Sequence, residues 1–471
     1  MTQKPNFVVI LADDMGYGDV SCLNNESKIS TIAMDRIASE GMVFTDAHAS
    51  SAVCTPSRYS ILSGRYAWRG RLQRGVLGPF DPPLLEDDLI TLPQMLRESG
   101  YRTACVGKWH LGMDWMGINQ DGINCLEYGW KSQERVDLGW RVDYDAPIRK
   151  GPCDFGFSYY FGVDVPNFPP YCFIENNRTL GRPNLPKPDE MFGCPGPMIK
   201  GWEFESIMPV LEQKAIDFIR QIAEDDEPFF LYFSMTGPHT PIAPVNKFIG
   251  KSRAGIYGDF VTQLDATIGL IDKTLQSCGI SENTILIVTS DNGSPGRNGS
   301  LEAPGTVIET FGHNPSWILR GMKGDTWDGG HRIPFIVKWP KKIKPGKRTA
   351  ELVCLTDLMA TFAESVGARR PDTAQDSVSL IPLFKGEGKP VRNMVVHHGS
   401  DGLFGIRKGK WKLIFGTGSG GFSPDPPLTE YSPLVQLYDM EGDIREERNL
   451  CFERPDIVYE LTAEFNEIKN V

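Results

Sequence analysis

The sequence predicts an α/β fold: a large, mainly parallel sheet sandwiched by helices, then a small antiparallel sheet and a terminal helix. Three observations predict it. Over residues 1–340, short continuously apolar runs alternate with segments of helical spacing, the pattern of parallel strands buried on both faces. After about residue 385 the style changes to brief strands separated by tight turns. The length, 471 residues at 40% hydrophobic and 23% charged, suffices for one large domain and a smaller one.

Residues 6–11 (NFVVIL) form the first predicted strand. In residues 51–67 (SSAVCTPSRYSILSGRY), Thr55 can serve as N-cap, Pro56 fits the first helical turn, and Gly64 stops a short helix. A helix over 92–100, closed by Gly100, precedes a second strand at 101–107 (YRTACVG). Between about 113 and 205 the alternation fails and Gly, Pro and aromatics dominate, which reads as a long insertion at the rim of the sheet. Trp115, Trp130, Trp140, Tyr159, Tyr160 and Phe161 in it suit stacking on sugar faces, or the packing of a compact loop. A helix at 210–224 and the strand 228–235 (PFFLYFSM) follow, then a longer helix at 260–279 and the strands 284–290 (TILIVTS) and 333–339 (IPFIVKW). The runs NMVVHH, LFGIRKG, KWKLIFG and VQLYDM complete a small antiparallel sheet before a last helix near 455–468. The expected division is a catalytic domain over 1–385 and a small α+β subdomain over 386–471.

The net charge of −11 argues against a nucleic-acid partner, so positive charge for an anionic substrate must be local. No run approaches the roughly 18 apolar residues of a membrane span. The expected location is periplasmic, secreted or lysosomal-type if a leader has been removed, and otherwise cytoplasmic. Ten cysteines include Cys153, Cys172 and Cys194 in a Pro/Gly-rich stretch, where an oxidising compartment would allow a disulfide. No CxxC pair supports a zinc ribbon or a thioredoxin motif.

Polar residues follow each strand: Asp13-Asp14 after the first, Lys108-Trp109-His110 after the second, Pro238-His239 after the third, Asp291-Asn292 after the fourth. Parallel strands place these ends on one edge, where open α/β sheets bind ligands. Asp13, Asp14, Asp291 and Asn292 offer hard oxygen donors suited to Ca²⁺, with Mg²⁺ an alternative. Lys108, His110, His239 and Lys323 would then surround the metal with cationic and proton-carrying groups fit for a sulfate or phosphate. Cys54 sits at the positive end of a helix dipole near Arg58, which suits an anion or an activated nucleophile; a small buried structural cysteine is the alternative.

Cys54-Thr55-Pro56-Ser57-Arg58 followed by Leu62-Ser63-Gly64-Arg65 resembles the maturation signature of type I sulfatases. NFVVILADDMGYGDV, GKWHLG, GPHTP, SDNG and GMKGDTWDGGHRIP extend the likeness over about 5–340, with SLIPLFKG and IRKGKWKLI beyond it. The style is similar to arylsulfatase A-like and bacterial carbohydrate sulfatases of the alkaline phosphatase superfamily. The resemblance implies that a maturation enzyme oxidises Cys54 to Cα-formylglycine, and that this residue binds Ca²⁺ together with Asp13, Asp14, Asp291 and Asn292. It implies that Arg58 steadies the aldehyde hydrate, Lys108 and Lys323 grip the sulfate, His110 helps eliminate it, and His239 protonates the leaving alcohol. The rim aromatics, a small C-terminal domain closing over the sheet edge and the net charge of −11 lead to the expectation of exo-acting removal of sulfate from a small sulfated sugar; His313 and His331, which flank Lys323, and His398, which opens the C-terminal part, are candidate substrate contacts. The same metal site would serve a phosphonate or phosphate-ester hydrolase of the superfamily, and a non-catalytic glycan-binding relative is a further reading.

Overall fold

The computed structural model describes residues 4–118, 129–225, 227–297 and 306–470. The elements that position the site are β1 (Asn6–Asp13), α1 (Cys54–Ser63), β2 (Arg102–Lys108), β3 (Tyr159–Val163), α2 (Ile207–Glu224), β4 (Phe229–Pro238), α3 (Gly255–Ser277), β5 (Thr284–Ser290) and β6 (Phe335–Lys338). They build a ten-stranded sheet whose central order is β6-β5-β1-β4-β2-β3. From β5 to β3 every neighbouring pair is parallel.

Alternation along β1 explains the two layers. Phe7, Val9 and Leu11 pack into one core with Tyr59 and Leu62 of α1, while Val8 and Ile10 pack into the other with α2 and α3. On α2 the residues Leu211, Ala215, Ile219 and Ile222 are buried at spacings of three and four, one stripe of an amphipathic helix. Each large apolar side chain buried this way contributes about 1.5–3 kcal/mol before entropy is counted.

Four features differ from the sequence reading. The strand expected at 333–339 is β6, and it runs antiparallel to β5. The stretch 113–205 is more than a rim loop: β3, Ile174–Glu175 and Arg178–Thr179 extend the main sheet. Trp115, Tyr160 and Phe161 are consequently core residues. Helix α1 begins at Cys54 with Val53 as its N-cap, because the Thr55 hydroxyl instead accepts from the Leu77 backbone N–H. Gly64 does close it, with a left-handed φ of 66°.

Beyond the large sheet, Met394–His398, Phe404–Lys408, Trp411–Ile414 and Gln436–Asp439 form an antiparallel meander, against which the helix Pro455–Asn470 packs Leu461 and Phe465. The nine described cysteines, including Cys153, Cys172 and Cys194, are free thiols. Among the described residues no helix is long and apolar enough to cross a membrane.

Candidate active site

The C-terminal ends of β1, β2, β4 and β5 meet at one edge. Asp14 directly after β1 has φ 70°, and His110 shortly after β2 has φ 55°. A left-handed φ at a non-glycine residue costs about 1–2 kcal/mol, and such strain collects where side-chain direction matters. Gly107 in β2 has φ 119° and lies so close to β4 that an added Cβ would fall 1.7 Å from the Ser234 carbonyl oxygen. That close approach brings Lys108 under the site.

The site has two levels. The lower one is buried and pairs three carboxylates with three cations, of which Asp14 and Lys323 also reach the level above. Arg58 donates through Nε (3.0 Å) and a terminal nitrogen (2.7 Å) to Asp291 Oδ2, and also to Ser234 Oγ and the Lys108 carbonyl. Lys108 Nζ donates to both oxygens of Asp13 at 2.9 and 2.8 Å. Lys323 Nζ lies 2.6 Å from Asp14 Oδ1 and 2.8 Å from Oδ2. Formal charge within this set sums to zero, so a divalent cation would leave it positive and ready for an anion.

The upper level lines a cavity of about 640 Å³: Asp14, Cys54, His110, His239 and Lys323 are among its lining residues. Cys54 Sγ lies 3.3 Å from Lys323 Nζ and 3.9 Å from Asp14 Oδ1. His239 Nε2 lies 3.8 Å from Asp14 Oδ2, its Nδ1 bonding to the Thr240 carbonyl. His110 Nε2 donates to the Leu77 carbonyl at 3.1 Å, which leaves Nδ1 as a buried acceptor without a partner among the described residues.

Burial and charge set the protonation states. Burial pushes the Cys54 thiol up to about 12 against the pull of Lys108 and Lys323, so the helix dipole does not make a thiolate here. Burial also drives His239 down to about 4, with Asp13 opposing, and drives His110 well below the usual range with help from Lys108. Asp13 would rise on burial, but Lys108, His239 and Arg58 hold it well below the ordinary carboxylate range. Burial outweighs Arg58 at Asp291 and raises it to about 6.

These residues fit a hard cation. Asn292 Nδ2 donates to Asp14 Oδ1 at 2.7 Å, while its Oδ1 is buried and accepts nothing from the described residues. An unsatisfied buried acceptor costs about 1–3 kcal/mol, which a cation would offset. Asp13, Asp14, Cys54 and His239 each present a donor atom, all within 4.8 Å of one another. The all-oxygen set Asp13, Asp14, Asp291 and Asn292 suits Ca²⁺ or Mg²⁺.

A model of the sulfatase family matches residues 5–368. The chain belongs to the sulfatase family. It is accordingly an enzyme of sulfate-ester hydrolysis. Residues 323–470 of this sulfatase match a second family model, the C-terminal part of N-sulphoglucosamine sulphohydrolase. The sulfatase is 34% identical to an N-acetylgalactosamine-6-O-sulfatase of Bacteroides thetaiotaomicron, over 99% of its own length and 94% of the relative's. It is 31% identical to human arylsulfatase A, over 96% and 84%. A solved structure from work on the metabolism of multiple glycosaminoglycans by Bacteroides thetaiotaomicron aligns over 100% of both chains, with TM-score 0.83 and 32% identity.

Three histidines expected near substrate do not line the sulfatase's cavity. His313 is buried against Asp19 Oδ1 at 2.8 Å. His398 is buried with Nδ1 on the Gly399 carbonyl. His331 belongs to a buried cluster: its Nδ1 lies 3.0 Å from His48 Nδ1, and its ring stacks on His397 at 3.6 Å. Lys412 Nζ, 2.8 Å from Asp328 Oδ1 and 3.3 Å from His331 Nε2, already supplies that cluster's positive charge. Sequence reasoning missed Phe168 and Phe422, both of which line the cavity. Phe422 lies in a Gly/Ser-rich stretch, where a lone aromatic was the only signal.

Proposed function

We propose that this sulfatase removes sulfate from a small sulfated sugar, working from an exposed end, with 6-sulfated N-acetylgalactosamine as the first substrate to test. The observation that carries the reading is the placement of Cys54, a buried thiol on the cavity floor beside Lys323 and Asp14. The relative named for N-acetylgalactosamine-6-O-sulfate ester cleavage supports the choice of sugar. Asp13, Asp14, Asp291 and Asn292 would hold Ca²⁺ or Mg²⁺. Formylglycine made from Cys54 by a maturation enzyme would supply an oxygen nucleophile and a second hydroxyl for regenerating the aldehyde.

The chain's own residues do the rest. Lys323 at the floor, with Lys108 beneath, offers ammonium charge to the sulfate oxygens as negative charge moves to the leaving oxygen. Arg58 fixes Asp291 through two charged donors on Oδ2 and so keeps the carboxylate layer in place. His239 gives Nδ1–H to Thr240, so its Nε2 is the atom that carries a proton to the leaving alcohol. The charge of a bound sulfate ester favours that protonated state. His110 keeps its proton on Nε2 against Leu77, leaving Nδ1 to accept a proton when sulfate is expelled.

The test couples sulfate release from N-acetylgalactosamine 6-sulfate to mass spectrometry of the peptide 51–65. The aldehyde mass in active protein, and loss of turnover in Cys54→Ala with an unchanged melting temperature, are expected. Full turnover by Cys54→Ala would refute the proposal.

A further inference from the structure

Charge and apolar surface are segregated in the cavity above Cys54. Lys323 is the positive group beside Cys54 at the floor, and the cavity's volume of about 640 Å³ is more than a sulfate needs. Lys131, Arg297, Asp189 and Glu190, all exposed, also line it, so charge balances among the described lining residues at the mouth. Between floor and mouth the lining includes Val76, Val165, Phe168 and Trp130, with Phe422 on the Lys323 side.

Of the aromatic side chains that line this space, Phe168 and Trp130 come from one part of the fold and Phe422 from another. The His110 ring meets Phe168 edge-on at 5.9 Å, and Phe168 meets Trp130 at 5.3 Å, an aromatic ladder that starts at the floor. Phe168 is 3% exposed, whereas Trp130 at its end is 44% exposed. Phe422, 49% exposed, comes from the loop between Trp411–Ile414 and Gln436–Asp439. That loop is tied to the residues following Lys323. The backbone N–H groups of Phe422 and Ser423 donate to Asp325 Oδ1 at 2.8 and 2.9 Å, and Thr326 N–H donates to the Ser419 carbonyl at 2.7 Å. The two backbones touch: a Cβ on Gly421 would fall 2.1 Å from the Gly324 carbonyl carbon. A Cβ on Gly324 would fall 2.9 Å from the Phe422 ring. The small sheet therefore presents Phe422 at a position set by the same loop that carries Lys323.

We propose that Trp130 and Phe422 are specificity-determining residues that grip the faces of one pyranose ring bearing one sulfate, and that Asp325 is the positioning residue for Phe422. Rings left half-exposed along the cavity offer flat apolar area to the C–H faces of a sugar, while its hydroxyls stay directed at the open, polar mouth. Recognition by charge is left to the floor. This inference rests on the sulfatase reading of the site.

Calorimetry on the full chain in a Cys54→Ala background, with N-acetylgalactosamine 6-sulfate and inorganic sulfate as separate probes, tests it. Trp130→Ala and Phe422→Ala are each expected to weaken sugar-sulfate binding about tenfold or more and to leave inorganic sulfate within about twofold. In otherwise unaltered protein the same changes should raise KM with little effect on kcat. Asp325→Asn should weaken the sugar sulfate in part, and added to Phe422→Ala it should weaken it no further, which a merely structural role would not produce. Unchanged sugar-sulfate affinity in either alanine variant would overturn the clamp, as would equal loss for both probes. Binding and turnover of sulfated oligosaccharides but of no sulfated monosaccharide would overturn the single-ring class. A parent chain that binds the sugar sulfate through Phe422 yet releases no sulfate would refute the chemistry and leave the clamp standing.

Discussion

Replacing Arg58 by methionine keeps most of the side-chain volume and removes one buried charge. Arg58 is 0% exposed, and Asp291 Oδ2 loses donors at 3.0 and 2.7 Å while Asp13 loses a guanidinium at 3.3 Å. Removing one partner of a buried ion pair costs about 3–5 kcal/mol, because the other charge stays where water cannot reach it. Unfolding entropy of about 2.1 cal/mol/K per residue makes a chain of 471 residues lose about one degree per kcal/mol, so Tm should fall by about 3–5 °C. Lys150→Met is the control. Its pair with Asp87 is 2.7 Å long but 48% and 73% exposed, and losing it should cost under about 1 kcal/mol. Thermal melts followed by circular dichroism, in chelator and in excess Ca²⁺, make the comparison. In Ca²⁺ the Arg58→Met deficit should shrink, since the cation neutralises the same carboxylates. A chelator-treated Arg58→Met that melts within one degree of its parent would refute the assignment of Arg58 as the counter-charge of this layer.

Two further outcomes are expected. Burial pushes His398 down to about 4, and its unfolded value is about 6.5, so its contribution is complete above pH 6.5 and is lost as pH falls toward 4, by about 3 kcal/mol in all. Urea melts at pH 7.5, 6 and 5 should therefore show a gentler acid loss in His398→Phe than in the parent, and identical slopes would contradict this. Gly107→Ala places a Cβ 1.7 Å from the Ser234 carbonyl oxygen at φ 119°, which forces β2 away from β4 and moves Lys108. Sulfate release should fall by about 100-fold or more, and parental kcat/KM would rule out the close approach.

The convergence of the candidate site residues was legible in the sequence because parallel α/β sheets put every strand's C-terminal end on one edge. Four apolar runs followed by Asp13-Asp14, Lys108-His110, His239 and Asp291-Asn292 needed only that topology to converge, and hydrophobic periodicity carries the topology. What periodicity does not carry is direction and company. The antiparallel sense of β6 and the recruitment of β3 into the main sheet depend on long-range strand pairing. The αL turns at Asp14 and His110 are imposed on ordinary residues by their surroundings. His313, His331 and His398 carry the same side chain as His110 and His239; only packing decided that His313 and His331 would join buried networks, that His398 would be buried on the Gly399 carbonyl, and that two would face the cavity. Phe422 makes the same point from the far end of the chain. A lone aromatic among glycines and serines has no periodic signal, and it becomes part of the cavity because Asp325 and the Gly324–Gly421 contact hold its loop beside Lys323. Local spacing encodes which groups a strand delivers, whereas the free energy of burying and pairing them, summed over the whole fold, selects which remain available for a ligand.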